Sequence, residues 1–288
     1  MQDLDHANIT AAVNATWGDG TDPRLREILE ALVRHLHELA REVNLTHAEW
    51  QQAIEFLYQV GRKTTRRRNE FILLSDILGV SSLVDMLASR GPDGATERSV
   101  LGPFYLPNAP MLPVGGGDMR RDNPGEPVLV RGRVYDASGR GIGGALMEVW
   151  QNAANGLYSN QDPDQADDNL RCRLNTATDG AYAFTTIRPV PYSVPTDGPV
   201  GGVLRATGRH PWRTAHIHFR VTAPGYDELV TELFPADDPY IDGDAVFGVR
   251  ASLAVPFRRS DSAELAAAHG LPTPFGVVDY DFGLCPAG

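Results

Sequence analysis

The chain has 288 residues, 42% of them hydrophobic and 22% charged, the proportions of an ordinary globular protein. A formal net charge of −11 argues against nucleic acid as the main partner. Cys172 and Cys285 imply no disulfide framework. No apolar run reaches the length of a membrane span, and the first residues lack the basic-then-apolar form of a signal peptide, so a cytoplasmic location is the default expectation.

Residues 1–105 read as helical. Apolar residues recur at Leu25, Ile28, Leu29, Leu32, Val33, Leu36, Leu39 and Val43, the spacing of a helix with one buried face. Asp22-Pro23 supplies an N-terminal cap followed by proline at the first turn. Thr46 to Glu49 has the capping-box form and opens a second helix through about Gln59. The run from Arg62 to Arg68, including Arg66 and Arg67, reads as a solvated helix end or an inter-subunit patch. Phe71 to Leu78 and Ser82 to Leu87 are two further helical pieces, with Gly79 as the break between them. None of these helices carries an evident nucleophile or ligand cluster, so they read as packing and as a subunit-contact surface.

The composition then changes. Gly102 to Gly117 is rich in Pro and Gly, as a linker or shaped loop is. From about residue 127 short strands alternate with turn signals: Val128 to Tyr135, Ala145 to Trp150, Leu170 to Leu174, Ala181 to Ile187, Ala215 to Thr222, Leu229 to Phe234, Val246 to Val255 and Pro274 to Phe282. The fold class expected is α+β and mainly β: an antiparallel two-sheet β-sandwich over 106–288, preceded by a helical N-terminal domain over 1–105. Two long connections interrupt the strands, Asn152 to Asn169 and Arg188 to Arg213, and each carries a tyrosine, Tyr158 and Tyr192. Long loops on a rigid scaffold are where function concentrates.

His216-Ile217-His218 lies in a strand pattern. Residues two apart on a strand share a face, so the two imidazoles form a two-point grip for a transition metal. The same pattern also suits two half-exposed polar residues. Arg213, three residues earlier, on its own reads as a surface salt bridge.

Taken together, Trp150-Gln151 with Gly156-Leu157-Tyr158, Arg188-Pro189 with Pro191-Tyr192, then Arg213 and His216-Ile217-His218 resemble the intradiol ring-cleaving dioxygenases, non-haem ferric enzymes. The tract Gly156 to Gln165, with Val194 to Gly201 and Gly208 to Pro211, is most similar to the hydroxyquinol 1,2-dioxygenase branch. The resemblance covers nearly the whole chain. It implies a prealbumin-like catalytic sandwich, an N-terminal helical dimerisation domain and Fe(III) held by Tyr158, Tyr192, His216 and His218. Phenolate is a hard donor suited to a ferric ion, and imidazole is borderline. It also implies that an aromatic 1,2-diol displaces Tyr192, which then serves as base. Both atoms of O2 enter the substrate, and hydroxyquinol yields maleylacetate. A catechol or chlorocatechol would instead give cis,cis-muconates.

Arg213 becomes, on this resemblance, an electrostatic partner of the substrate anion. Glu232 stands where catechol-cleaving relatives carry glutamine; it orients a hydroxylated substrate or Arg213, or marks a departure in substrate. The implied substrate pocket comprises Leu73, Asp76, Val100, Leu101, Gly102, Pro103, Phe104, Val194, Pro195 and Val246. Asp76 is the expected acceptor for a third ring hydroxyl. A homodimer through the N-terminal helices, with a phospholipid at the interface, is the family expectation. Val130 to Val134 and Thr178 to Phe184 also resemble non-catalytic prealbumin-like spacer or carbohydrate-binding modules. A ferrous extradiol site needs two histidines and a carboxylate and gives the tyrosines no role. Structural zinc prefers cysteine and histidine.

Overall fold

The computed structural model describes residues 3–65, 68–89 and 94–287, so Arg66 and Arg67 of the basic run lie outside the described residues. Contacts divide the chain into two compact units, Met1–Gln59 and Val60–Gly288. The division falls inside a helix, and the helices beyond it belong with the strands.

The first unit holds α1 (Ile9–Asn14), α2 (Pro23–Glu42) and most of α3 (His47–Lys63). Asp22 caps α2 by accepting a 2.9 Å hydrogen bond from the Leu25 amide. The capping box closes in both directions at α3: Glu49 Oε2 accepts from the Thr46 amide at 2.8 Å, and Thr46 Oγ1 accepts from the Glu49 amide at 3.3 Å. α3 continues past Gln59 to Lys63. The expectation that α2 buries one face needs correction, because none of its residues is buried and Leu25, Ile28, Leu32, Leu36, Leu39 and Val43 are each about half exposed. The apolar spacing leaves a stripe that stays about half exposed.

The second unit begins with α4 (Glu70–Ile77) and α5 (Val80–Ala88), separated at Gly79 with φ of 72°. The strands and remaining helices follow in order as β1 (Gly116–Asp118), β2 (Pro127–Tyr135), β3 (Leu146–Gln151), β4 (Arg171–Asn175), β5 (Ala181–Ile187), β6 (Tyr192–Ser193), α6 (Pro199–Ala206), β7 (Trp212–Arg213), β8 (Ile217–Thr222), β9 (Leu229–Pro235), β10 (Ala254–Val255), β11 (Arg258–Ser260), α7 (Ala263–His269), β12 (Phe275–Asp279) and β13 (Phe282–Gly283). One sheet runs β1-β5-β2-β12-β11, with β13 also pairing β2; another runs β10-β9-β8-β3-β4; β6 and β7 form a separate ribbon. Val130, Phe184 and Val278 from the first sheet and Met147, Val149, Ile217, Phe219 and Val221 from the second join one buried apolar cluster.

The sheets are mixed rather than purely antiparallel. β2–β5, β11–β12, β3–β4, β3–β8 and β8–β9 pair antiparallel, whereas β1–β5, β2–β12, β2–β13 and β9–β10 pair parallel. Each parallel pair joins strands far apart in the chain or linked by a long excursion, the only way a crossover can be made.

Two tracts differ from their expected form. Of the strand expected from Val246 to Val255, only Ala254–Val255 is extended. The Asp244 carboxylate accepts a 2.8 Å bond from the Gly248 amide and closes the segment into a turn, with Phe247 at φ of 58°. The connection from Arg188 to Arg213 contains α6, whose N-cap Gly198 offers no side chain. Its amide at Val200 is instead accepted at 3.3 Å by Glu70 from α4. A cap supplied from another helix leaves no local signature. Of the basic run, Lys63 and Arg68 pair with Asp197 at 2.9 and 2.6 Å, and Arg68 also pairs with Glu70. Among the described residues no single helix is long and apolar enough to cross a membrane; α4 and α5 pass that test only as a pair bent by 76°.

Candidate active site

The second sheet and the small ribbon bring the expected site residues together. Register across the sheet aligns Trp150 of β3, His218 of β8 and Glu232 of β9 in one row. The ribbon pairs Tyr192 with Arg213. His216 stands just before β8. Along His216-Ile217-His218-Phe219 every residue is buried: Ile217 and Phe219 enter the apolar core, and the two imidazoles line the opposite face, their rings 4.6 Å apart at 88°.

Tyr158 reaches the same place from the first long connection. Gln161 Oε1 accepts from its amide at 3.0 Å. The neighbouring Ser159 is held by Arg171, whose Nε donates to Ser159 Oγ at 2.7 Å. The Tyr158 hydroxyl lies 3.0 Å from His216 Nε2. Its ring stands 5.7 Å from that of Tyr192, which in turn is 5.6 Å from His216. Tyr158, Tyr192, His216 and His218 therefore converge. Trp150 stacks on His218 with centroids 4.7 Å apart and planes 7° from parallel, fixing that ring. Phe104 stacks on Tyr158 at 4.6 Å.

The donor chemistry suits a metal. The Thr214 carbonyl accepts from His216 Nδ1 at 2.7 Å, which places the proton on Nδ1 and leaves the Nε2 lone pair facing the cluster. Burial above all, with the Arg213 charge, holds both imidazoles well below their ordinary pKa, in the neutral form that coordinates. Burial pushes both tyrosine hydroxyls up. A bound cation reverses that preference, so two buried phenols beside two neutral imidazoles form a set that a highly charged ion would complete. His216, His218 and Glu232 alone also form a group able to hold a metal ion, with one donor atom from each lying within 4.8 Å of the others.

Arg213 is not on the surface; it is 3% exposed, and its partners are the buried Glu232 and Asp244. Glu232 Oε2 also accepts from Ser99 Oγ at 2.6 Å. Glu232 thus contacts the guanidinium directly, one of the readings the sequence left open for it. Ser99 and Asp244 were not expected. Asp244 sits in an Asp-Gly-Asp tract that reads as a solvated turn, and nothing local marks Ser99.

Among the pocket candidates, Leu73, Asp76, Val100, Phe104, Val194 and Val246 are buried, whereas Leu101 and Pro103 are exposed and Gly102 and Pro195 lie between. Gly102 has φ of 69°, and a Cβ there would stand 3.3 Å from His218 Cε1, so a side chain at this position would strain the backbone and crowd the imidazole. Burial raises the pKa of Asp76 against the opposing effect of a hydrogen bond from Ser81.

Comparison with known proteins gives the family. A family model described as "Dioxygenase" matches residues 100–286, and one described as "Catechol dioxygenase N terminus" matches residues 22–96. The chain belongs to the intradiol ring-cleaving dioxygenases. It is 47% identical over 274 residues to the hydroxyquinol 1,2-dioxygenase of a Rhizobium species, covering 94% of this chain and 92% of that one. It is also 47% identical to the 6-chlorohydroxyquinol 1,2-dioxygenase of Cupriavidus pinatubonensis, covering 99% of each. The crystal structure of hydroxyquinol 1,2-dioxygenase from Pseudomonas putida DLL-E4 superposes with a TM-score of 0.90 at 45% identity, over 98% of this chain and 99% of that one.

Proposed function

We propose that the protein opens hydroxyquinol between its two adjacent hydroxylated carbons, placing both atoms of O2 in the product, maleylacetate. The observation that carries this reading is the convergence of two buried phenols and two buried imidazoles, with one nitrogen lone pair already aimed inward. Tyr158, Tyr192, His216 and His218 would hold Fe(III), which when bound supplies Lewis acidity and a template for the diol. Tyr192 is the base that takes a substrate hydroxyl proton, and the Arg213 guanidinium reaches its hydroxyl. Arg213 stabilises charge developing on the substrate oxygen, and Glu232 holds Arg213. Asp76 accepts from the third ring hydroxyl. Leu73, Val100, Leu101, Gly102, Pro103, Phe104, Val194, Pro195 and Val246 form the walls.

At the level of architecture, the reading takes 106–288 as a two-sheet prealbumin-like sandwich and 1–105 as the helical region through which two copies associate. The half-exposed stripe of α2 supports the association. A cavity of about 600 Å³ lined by His6, Ile9, His37, Ala40, Arg41 and Asn44 is space in which a phospholipid chain could lie.

Iron-loaded protein should be red to burgundy from tyrosinate-to-ferric charge transfer, and with isotope-labelled O2 and hydroxyquinol should release maleylacetate carrying two labelled atoms. Catechol and 4-chlorocatechol serve as comparators. A colourless iron-bound protein that leaves hydroxyquinol intact would refute the proposal.

A further inference from the structure

A guanidinium carries five N–H donors in a fixed fork, and the environment of Arg213 accounts for them one by one. Nε donates to Asp244 Oδ1 at 3.2 Å. Nη2 donates to Asp244 Oδ2 at 3.3 Å and to Glu232 Oε2 at 3.2 Å. Nη1 donates to Glu232 Oε1 at 3.1 Å. The remaining donor, also on Nη1, is aimed at the lone pair of His216 Nε2 at 3.3 Å, among the converging phenols and imidazoles. Two carboxylates therefore take four donors and leave one facing the site.

The carboxylates are themselves held. Ser99 Oγ donates to Glu232 Oε2 at 2.6 Å, and the Gly248 amide donates to Asp244 Oδ2 at 2.8 Å. A side chain at Gly248 has no room: its Cβ would stand 2.8 Å from Arg213 Nη2 and 3.0 Å from both Asp244 Oδ2 and Glu232 Oε2. One cation between two carboxylates has no net positive charge to offer. What it offers is a single N–H in a fixed direction.

We infer that Asp244 is a positioning residue: with Glu232 it clamps Arg213 so that the guanidinium acts in the reaction as one directed hydrogen-bond donor rather than as a free positive charge. The inference rests on the function proposed above and goes beyond it by assigning Asp244 and by replacing charge with direction as the contribution of Arg213. Asparagine at 244 would keep the shape but lose an acceptor, because its amide nitrogen must face either the guanidinium or the Gly248 amide, donor against donor.

Asp244→Asn, loaded with iron, should keep the charge-transfer band of the parent, since the four proposed ligands are untouched, while its melting temperature falls modestly because a buried charge pair loses one carboxylate. Its kcat for hydroxyquinol should fall about a hundredfold, the effect of a displacement on the order of 1 Å at a catalytic group, with KM little changed. Arg213→Lys keeps the charge but cannot span two carboxylates, so it should lose as much activity as Arg213→Ala. Near-parental kcat in fully coloured Asp244→Asn would overturn the inference, as would a folded Asp244→Asn that has lost its colour, which would mark a role in building the metal site rather than in aiming Arg213. Should Asp244→Asn not fold, Arg213→Lys decides: activity near that of the parent would show that charge suffices. A parent protein that is colourless and inactive would overturn the proposed function and the inference with it; a coloured, active parent isolates the clamp as the thing tested.

Discussion

Asp76 is a buried carboxylate on α4 whose ionisation burial opposes and a hydrogen bond from Ser81 favours. A substrate hydroxyl placed against it would add a second donor, and a substrate lacking that hydroxyl would leave the carboxylate short of a partner. Hydrogen bonds to charged groups are worth about 1.5–3 kcal/mol, so Asp76→Ala should lower the ratio of kcat/KM for hydroxyquinol over catechol by roughly tenfold or more. Steady-state kinetics on both substrates tests this, and an unchanged ratio removes Asp76 from the specificity argument. At this scale much of the site was legible. Tyrosine and histidine are scarce in this chain, 9 and 8 residues, and Tyr158, Tyr192, His216 and His218 stand in an order distinctive enough to carry a family resemblance, whereas Arg213 on its own read as a surface salt bridge. Ser99, Asp244 and Gly248 are common types whose significance comes only from what they touch: Ser99 meets Glu232 and Asp244 meets Arg213 across long chain separations, which no local pattern encodes.

The same contrast holds for elements. α2 and α3 were visible because their caps are local, with Asp22, Thr46 and Glu49 each bonding within three residues. β5 was visible from Ala181 to Ile187 because its alternation and its Thr-Asp-Gly turn are contiguous. α6 was not, because its cap comes from Glu70 on α4; Val246 to Gly248 was taken as the start of a strand, whereas Asp244 turns the chain there with its carbonyl, accepting from the Phe247 amide at 3.0 Å, and with its carboxylate, accepting from the Gly248 amide. Glu70 is fully buried and answers both Arg68 and the Val200 amide. Removing it strands a buried donor and leaves a guanidinium with one carboxylate partner fewer. Glu70→Ala should destabilise the fold by about 1–3 kcal/mol, read as a lower denaturant midpoint at unchanged slope, and Glu70→Gln, which keeps the acceptor oxygen, should recover part of it. Equal stability for all three proteins would show that α6 needs no cap from α4.

For the whole molecule the question is what covers α2. Six large apolar side chains, Leu25, Ile28, Leu32, Leu36, Leu39 and Val43, lie about half exposed at helical spacing, and a contiguous apolar stripe of this kind marks an interaction site more often than a free surface. A second copy can offer the same stripe in return, since a two-fold interface is self-complementary. Replacing Leu32 and Leu36 by aspartate would place two like-charged carboxylates at the centre of that contact and two more opposite them. The parent should therefore sediment as a dimer and the double variant as a monomer. All residues proposed for the reaction, from Leu73 to Val246, belong to the unit Val60–Gly288, whereas α2 belongs to Met1–Gln59. Dissociation at α2 should therefore leave the iron colour and kcat of each subunit nearly unchanged while lowering its thermal stability through the newly wetted apolar area. If the double variant remains a dimer, association runs through another surface; if it becomes a monomer and loses its colour as well, the iron site depends on the dimer.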